Sequence, residues 1–267
     1  MKTYKMIFSD IDGTLLTNDH RVTERIRDKI TALSEAGVPF VLVSARPPKG
    51  IWPIQRMIGI EAPIVAYGGG LILDYDKTVL HSQGMDMEAA IGISQYVQAH
   101  TPDICCNIYA GERWIVEDHA NEWVRREIEV IGFEPERGNL EGVRAEGIEI
   151  HKLLLMGEPA QIAALNQELG ERYPELTISR SAPFYLEVMD GAATKGSALR
   201  ALCEKKGIGA QEAIAFGDSQ NDMSMLQAAG LGVAMENAPQ EVKNQADMVT
   251  LDNEHEGLLK VLCDIWP

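Results

Sequence analysis

The order of apolar runs in this chain predicts an α/β fold: a Rossmann-like parallel-sheet core with an inserted α+β cap domain. Two observations predict it. Short apolar runs at 6–8, 40–43 and 64–67 alternate with segments whose apolar residues recur at helical spacing, the pattern of right-handed βαβ units. The same alternation returns from residue 195, and between the two stretches lie paired short runs separated by turn residues, which read as hairpins.

The first run stops at Asp10-Ile11-Asp12-Gly13-Thr14, where Asp12-Gly13 is a turn signal. Val22, Ile26, Ile30 and Leu33 then recur at helical spacing, with Thr23 as N-cap and Gly37 closing the helix. A second strand, 40–43, ends at Ser44-Ala45-Arg46-Pro47, and a helix near 51–58 leads to a third strand, 64–67. At Tyr67-Gly68-Gly69-Gly70 the rhythm changes, and 71–73 with 79–81 read as a hairpin around Asp74-Tyr75-Asp76-Lys77. A helix at 87–100, a hairpin over 104–116 and a helix at 123–131 follow. A strand at 148–156, a helix at 161–173 and strands near 176–178 and 185–189 complete the middle part. The parallel pattern resumes with a helix at 195–206 and a strand at 213–216 that ends at Gly217-Asp218-Ser219-Gln220-Asn221-Asp222. A short helix through Met225 and Leu226, a strand at 231–235, a helix at 239–245, a strand at 248–249 and a helix at 254–265 finish it. The core is expected over 1–82 and 188–267, and the insertion over 83–187.

The length of 267 residues suffices for one large domain or two modest ones. A formal charge of −16 argues against a nucleic-acid or anionic-membrane surface, both of which call for basic patches. Met1-Lys2-Thr3-Tyr4-Lys5 runs into the first strand without the apolar core of a signal peptide, and no apolar run approaches bilayer length. Cys105, Cys106, Cys203 and Cys263 form no Cys-x-x-Cys pair, so reduced thiols in a cytoplasmic protein are expected.

Asp10 and Asp12 lie two residues apart where the first strand ends, and both can project into the crevice at the carboxyl end of a sheet. Two carboxylates that close repel each other unless a hard cation lies between them, and Mg²⁺ favours one or two carboxylates with phosphate oxygens and waters. A phosphoryl-transfer site is the chemical reading; an ordinary Asp-x-Asp-Gly turn is the other. Asp218 and Asp222 flank the start of a later helix and would complete an oxygen-only cluster, although N-capping also places acids there. Ser44, at the tip of the second strand, offers a hydroxyl and a backbone N–H to a phosphate oxygen, or a simple ST-turn. Lys195 opens a helix and supplies a positive charge that either serves a phosphate or is merely solvated.

Asp10-x-Asp12-Gly13-Thr14, the strand-terminal Ser44, Thr194-Lys195-Gly196 and Gly217-Asp218-x-x-Asn221-Asp222 stand in the order of the four motifs of haloacid dehalogenase-like phosphatases. More closely the chain resembles the Cof-type subgroup, to which Leu186-Glu187-Val188, Asn237-Ala238, Thr250, Asn253-Glu254 and Gly257 are also similar. The resemblance implies that Asp10 attacks phosphorus to form an aspartyl-phosphate, while Asp12 protonates the leaving oxygen and then activates water. It further implies Mg²⁺ held by the Asp10 side chain, the Asp12 carbonyl and Asp218, with Asp222 at the same metal site. Ser44, Lys195 and Asn221 would bind the phosphoryl group. The substrate would be a small phosphorylated metabolite, a sugar phosphate or a phosphorylated cofactor. A phosphomutase with the same intermediate and a phosphometabolite-binding protein without turnover are the alternatives. The chain departs from the subgroup in having Ala45 where Gly is usual and Tyr67-Gly68 where Asn-Gly is common. Specificity is expected in the insertion, with Arg180, Tyr185 and Glu187 as candidates and Gly84 and Gly191 as hinge positions.

Overall fold

The computed structural model describes residues 4–267; Met1, Lys2 and Thr3 of the expected lead-in to the first strand lie outside the described residues. The chain divides into two units, one of residues 4–82 with Thr194–Pro267 and one of Gln83–Ala193.

The first unit contributes β1 (Met6–Asp10), β2 (Phe40–Val43), β3 (Ile64–Ala66), β4 (Leu71–Leu73) and β5 (Val79–Ser82) before the insertion. After it come β12 (Ala213–Gly217), β13 (Leu231–Ala234) and β14 (Met248–Val249). They form one sheet in the order β14-β13-β12-β1-β2-β3-β4-β5, parallel from β14 to β3 and antiparallel at β4 and β5. Every residue of β1, β2 and β12 is buried, which is why these strands read as unbroken apolar runs rather than alternating ones. Met6, Phe8, Val41, Val43, Ala213 and Ala215 share a core with Leu199 and Leu202 of α7 (Lys195–Lys205) and Met225 and Leu226 of α8 (Met223–Ala228). Fully burying a Val, Leu, Phe or Met side chain among them contributes about 1.5–3 kcal/mol.

Helix α1 (Glu24–Glu35) is capped by the Thr23 hydroxyl, which accepts from the Ile26 N–H at 3.3 Å, and it buries Ile26, Ile30 and Leu33. Helix α2 (Pro48–Ile58) begins three residues before the expected position, because the fixed φ of Pro48 suits the first helical turn. Helices α9 (Gln240–Lys243) and α10 (Gly257–Ile265) complete the unit. The third strand stops one residue short, at Ala66, since Tyr67 adopts φ +52° and starts a tight turn. Within that turn Gly69 has φ +124°, and a Cβ there would lie 2.2 Å from the Thr194 carbonyl oxygen; only glycine fits. The last helix starts at Gly257 instead of 254, because Glu254 and Glu256 are drawn off to the loop that follows β1.

The second unit holds a six-stranded sheet built from β6 (Cys105–Ala110), β7 (Arg113–Val116), β8 (Glu136–Arg137), β9 (Lys152–Met156), β10 (Leu176–Ala182) and β11 (Tyr185–Asp190). The order is β10-β11-β9-β6-β7-β8, antiparallel except for the β7–β8 pair. Ile108, Ile115, Leu153, Leu155, Leu186 and Val188 face one way and pack with α3 (Met87–His100), α5 (Leu140–Glu146) and α6 (Pro159–Arg172). The opposite face is polar and aromatic. There Trp114 Nε1 donates to Asn107 Oδ1 at 2.9 Å, Lys152 pairs with Glu187 at 3.3 Å, and Tyr109 and Tyr185 both donate to Glu127 of α4 (Glu122–Ile131).

Two further expectations change here. The chain returns from the insertion at 193–194 rather than 187–188, because β11 continues to Asp190 in the inserted sheet. The strand expected over 148–156 begins at Lys152. Helix α5 and strand β8 escaped the sequence reading: Gly142 interrupts the helical pattern of α5, which Asn139 caps by accepting from the Gly142 N–H at 2.9 Å. Gly84 and Gly191 are required by close packing, since a Cβ would meet Glu149 Cβ at 2.9 Å and the Glu175 carbonyl oxygen at 2.2 Å respectively. Among the described residues no helix is long and apolar enough to cross a membrane.

Candidate active site

The site lies where three adjacent parallel strands end. Asp10 of β1 stands beside Val43 of β2, and Ser9 beside Phe216 of β12, so the loops Ile11–Thr14, Ser44–Arg46 and Asp218–Asp222 leave the sheet side by side. Parallel strands place equivalent ends on one edge, which is why residues more than 200 positions apart meet here.

Helix α7 brings the fourth component. Thr194 caps it, accepting from the Ser197 N–H at 3.0 Å, and Lys195 occupies the first helical position. The Lys195 side chain is buried, and its Nζ donates to Asp10 Oδ1 and, at 2.6 Å, to Asp222 Oδ1. Burial opposes the ammonium charge, but Asp10 and Asp222 outweigh it and hold the Lys195 pKa above its ordinary value. Burial pushes the Asp10 pKa up to about 8, Lys195 opposing and the charges of Asp222 and Asp218 adding to the rise. Asp218 is pushed up to about 6, again by burial first, with the Thr14 hydroxyl bond opposing and Asp222 contributing.

Asp10, Asp218 and Asp222 each offer a carboxylate oxygen within 4.8 Å of the others. Three carboxylates against one ammonium leave an excess of negative charge in a poorly solvated place. An oxygen-only donor set of that charge fits a hard divalent cation such as Mg²⁺. Asp222 is committed on both oxygens: Oδ1 takes Lys195, while Oδ2 accepts from the N–H groups of Asp218 and Ser219 at 3.0 and 2.9 Å and lies 2.8 Å from the Ser219 hydroxyl. It therefore braces the loop that carries Asp218. Asp218 receives the Thr14 hydroxyl on Oδ1 at 2.8 Å.

Asp12 has different surroundings from Asp10. Its side chain is 46% exposed, and both of its oxygens are taken by Arg46, Nε to Oδ2 at 2.9 Å and Nη2 to Oδ1 at 2.6 Å. The next residue, Gly13, has φ +80°, and a Cβ there would lie 2.4 Å from Asp218 Oδ2. Ser44 is buried; its N–H donates to the Val65 carbonyl at 2.9 Å, so the backbone donation expected of Ser44 is already used. The Ser44 hydroxyl accepts from the Arg46 N–H at 3.2 Å and keeps its own proton to give. Asn221 is exposed, and its Oδ1 accepts from the Ser219 hydroxyl of its own loop at 2.7 Å.

Sequence reasoning quoted Thr14, Arg46 and Asn237 inside motifs without giving them a role. Asn237 donates to the Gly13 carbonyl at 2.8 Å and reaches Asp218 Oδ2 at 3.3 Å, joining the first and fourth motifs. Asn253 donates to the Leu16 carbonyl at 2.9 Å, Glu254 accepts from the Asn18 N–H, and Glu256 accepts from the Thr23 hydroxyl at 2.7 Å. The C-terminal loops thus fasten the segment that follows Asp12, a connection that only the sheet order reveals.

A strand-end cluster of carboxylates around one buried lysine, on a parallel α/β sheet, has the oxygen donors to hold a hard divalent cation beside a reactive carboxylate. Residues 7–262 match the model of the haloacid dehalogenase-like hydrolases, and the chain belongs to that family. It is 38% identical over 264 residues, covering 99% of both chains, to a Haemophilus influenzae protein provisionally named a phosphatase. A Bacillus subtilis protein named 5-amino-6-(5-phospho-D-ribitylamino)uracil phosphatase is 28% identical, over 95% of each chain. The crystal structure of a haloacid dehalogenase-like hydrolase from Bacteroides thetaiotaomicron superposes with a TM-score of 0.86 at 30% identity, covering 99% of this chain and 100% of that one.

Proposed function

We propose that this chain is a Mg²⁺-dependent phosphatase that hydrolyses small phosphorylated metabolites through an aspartyl-phosphate on Asp10. The observation that carries the reading is the buried set of Asp10, Lys195, Asp218 and Asp222, in which one carboxylate at a strand end is paired with an ammonium and surrounded by further oxygen donors. Asp10 attacks phosphorus, the bond from phosphorus to the ester oxygen breaks, and Asp12 gives its proton to that oxygen. Asp12 then takes a proton from the attacking water, the bond between Asp10 and phosphorus breaks, and phosphate leaves. Lys195 and the Ser44 hydroxyl balance the charge on the phosphoryl oxygens, the kind of preorganised stabilisation that supplies most of the rate in phosphoryl transfer. The cation would be held by the Asp10 and Asp218 side chains and the Asp12 carbonyl, with Asp222 in support, and it supplies charge neutralisation at the nucleophile and the phosphoryl group.

The relatives support phosphorylated metabolites as the substrate class, the one from Bacillus subtilis being named for a ribityl phosphate. The test is release of inorganic phosphate from a panel of sugar phosphates and phosphorylated cofactors, with Mg²⁺ and after exhaustive chelation. Release that needs Mg²⁺ and vanishes in Asp10→Asn is the expected result. Isomer formation without release would make the chain a phosphomutase, and full activity after chelation would overturn the carboxylate-cluster reading.

A further inference from the structure

The bond between Arg46 and Asp12 has no place in the scheme above, yet its geometry is specific. Each oxygen of the carboxylate takes one N–H of a single guanidinium, at 2.9 and 2.6 Å, the paired fork that only arginine can present. Both side chains are substantially exposed, 37% for Arg46 and 46% for Asp12, and an ion pair in water adds little to folding. What a fork does provide is orientation. An exposed aspartate otherwise samples several rotamers, whereas one held at both oxygens has a single facing.

The anchor is stiff even though the pair is wet. The Arg46 N–H donates to the Ser44 hydroxyl at 3.2 Å, and its carbonyl accepts from the N–H of the buried Tyr67 at 3.2 Å, which ties the backbone of Arg46 to two strand ends. Asp12 is tied on its other side through Gly13, whose carbonyl accepts from Asn237. A carboxylate has about four lone-pair positions, so the fork leaves room for the proton that an acid must carry.

We propose that Arg46 is a positioning residue that sets the facing of the Asp12 carboxylate toward the leaving-group oxygen. This rests on the reading of Asp12 as the acid and base of a phosphatase. Arg46 acts on the reaction through Asp12, not by gripping the phosphoryl group.

The test uses the full chain with Mg²⁺ and two esters, an alkyl phosphate that needs a strong acid at the leaving oxygen and p-nitrophenyl phosphate, which does not. Arg46→Gln and Arg46→Lys should each lower kcat/KM, which reads the step that expels the ester oxygen, by about 10- to 100-fold on the alkyl ester and by less on the aryl ester. Lysine should fail to rescue, since it presents no fork. In an Asp12→Asn background Arg46→Gln should have no further effect, because the two changes then remove the same contribution. A rise in KM for both esters, with losses that add to those of Asp12→Asn, would overturn the proposal in favour of direct substrate binding. A lowered melting temperature with kcat/KM intact would overturn it in favour of a structural pair. Failure of the underlying reading shows elsewhere: the wild-type chain then releases no phosphate, or Asp10→Asn still does.

Discussion

Asp10 and Asp12 share a chemistry and sit two residues apart, yet the fold gives them opposite surroundings. Asp10 is 7% exposed and shares the buried Lys195 with Asp222, while the Asp12 side chain is nearly half exposed and has Arg46 to itself. The buried group has its charge contested by burial and by two other carboxylates. The exposed group needs to be aimed. On the proposed mechanism, burial would let cations neutralise Asp10 for attack, and exposure would let Asp12 exchange protons with water. The two cations match these tasks: a lysine is a compact charge that can serve two carboxylates, an arginine a planar fork that orients one.

The largest expected effect follows from removing the buried cation. Lys195→Met should leave Asp10 and Asp222 without compensation and destabilise the metal-free protein by about 3–5 kcal/mol, whereas Arg46→Met should cost less than about 1 kcal/mol. Urea unfolding of the two variants measures the difference, and equal losses would break the comparison. A smaller effect is expected where the two environments are joined. Asn237→Ala frees the Gly13 carbonyl and one contact of Asp218, and should weaken Mg²⁺ binding by about 10- to 100-fold, as loss of a supporting bond to a metal ligand does. Titration calorimetry with Mg²⁺ tests it; unchanged affinity would show that the two loops hold their places without this bridge.

A third effect is graded with pH. Folding raises the Asp10 pKa from 3.8 to about 8 and that of Asp218 to about 6, so between these limits the native state holds protons that the unfolded chain has lost. Stability of the metal-free protein should therefore fall as pH rises from about 4 toward 8. A cation must displace those protons, so Mg²⁺ affinity should rise over pH 6 to 8 by up to about tenfold per unit for each proton displaced. Melting curves with and without Mg²⁺ at pH 6, 7 and 8 read both trends. A cation-free melting temperature that climbs over that range would contradict the buried, crowded setting of Asp10.

How much of this was legible in the sequence depends on which contacts are local. Strand β2 runs over the predicted residues because both its faces are buried, leaving an apolar run with sharp ends. Asp10, Lys195, Asp218 and Asp222 could be singled out because each marks the end of such a strand or the start of a helix, and the parallel order brings them together. The facing of Asp12 was not legible: its partner Arg46 comes from the neighbouring strand's loop, and a side chain's rotamer leaves no trace in spacing. The tie of Asn237 to Gly13 was hidden for the same reason. In the insertion, α5 was missed because Gly142 sits inside it, where its packing and the Asn139 cap override a poor local propensity.

The most direct measurement of the central claim is the covalent state of Asp10 during turnover. The Asp12→Asn variant, mixed with p-nitrophenyl phosphate and Mg²⁺ and quenched in acid, should carry a phosphoryl group on the peptide that contains Asp10, because attack on an activated ester proceeds while the loss of the base slows hydrolysis of the intermediate. The same peptide from Asp10→Asn should remain unmodified, with no phosphate released. Phosphate release by Asp10→Asn at the wild-type rate, or a phosphoryl group recovered on any other residue, would contradict the account.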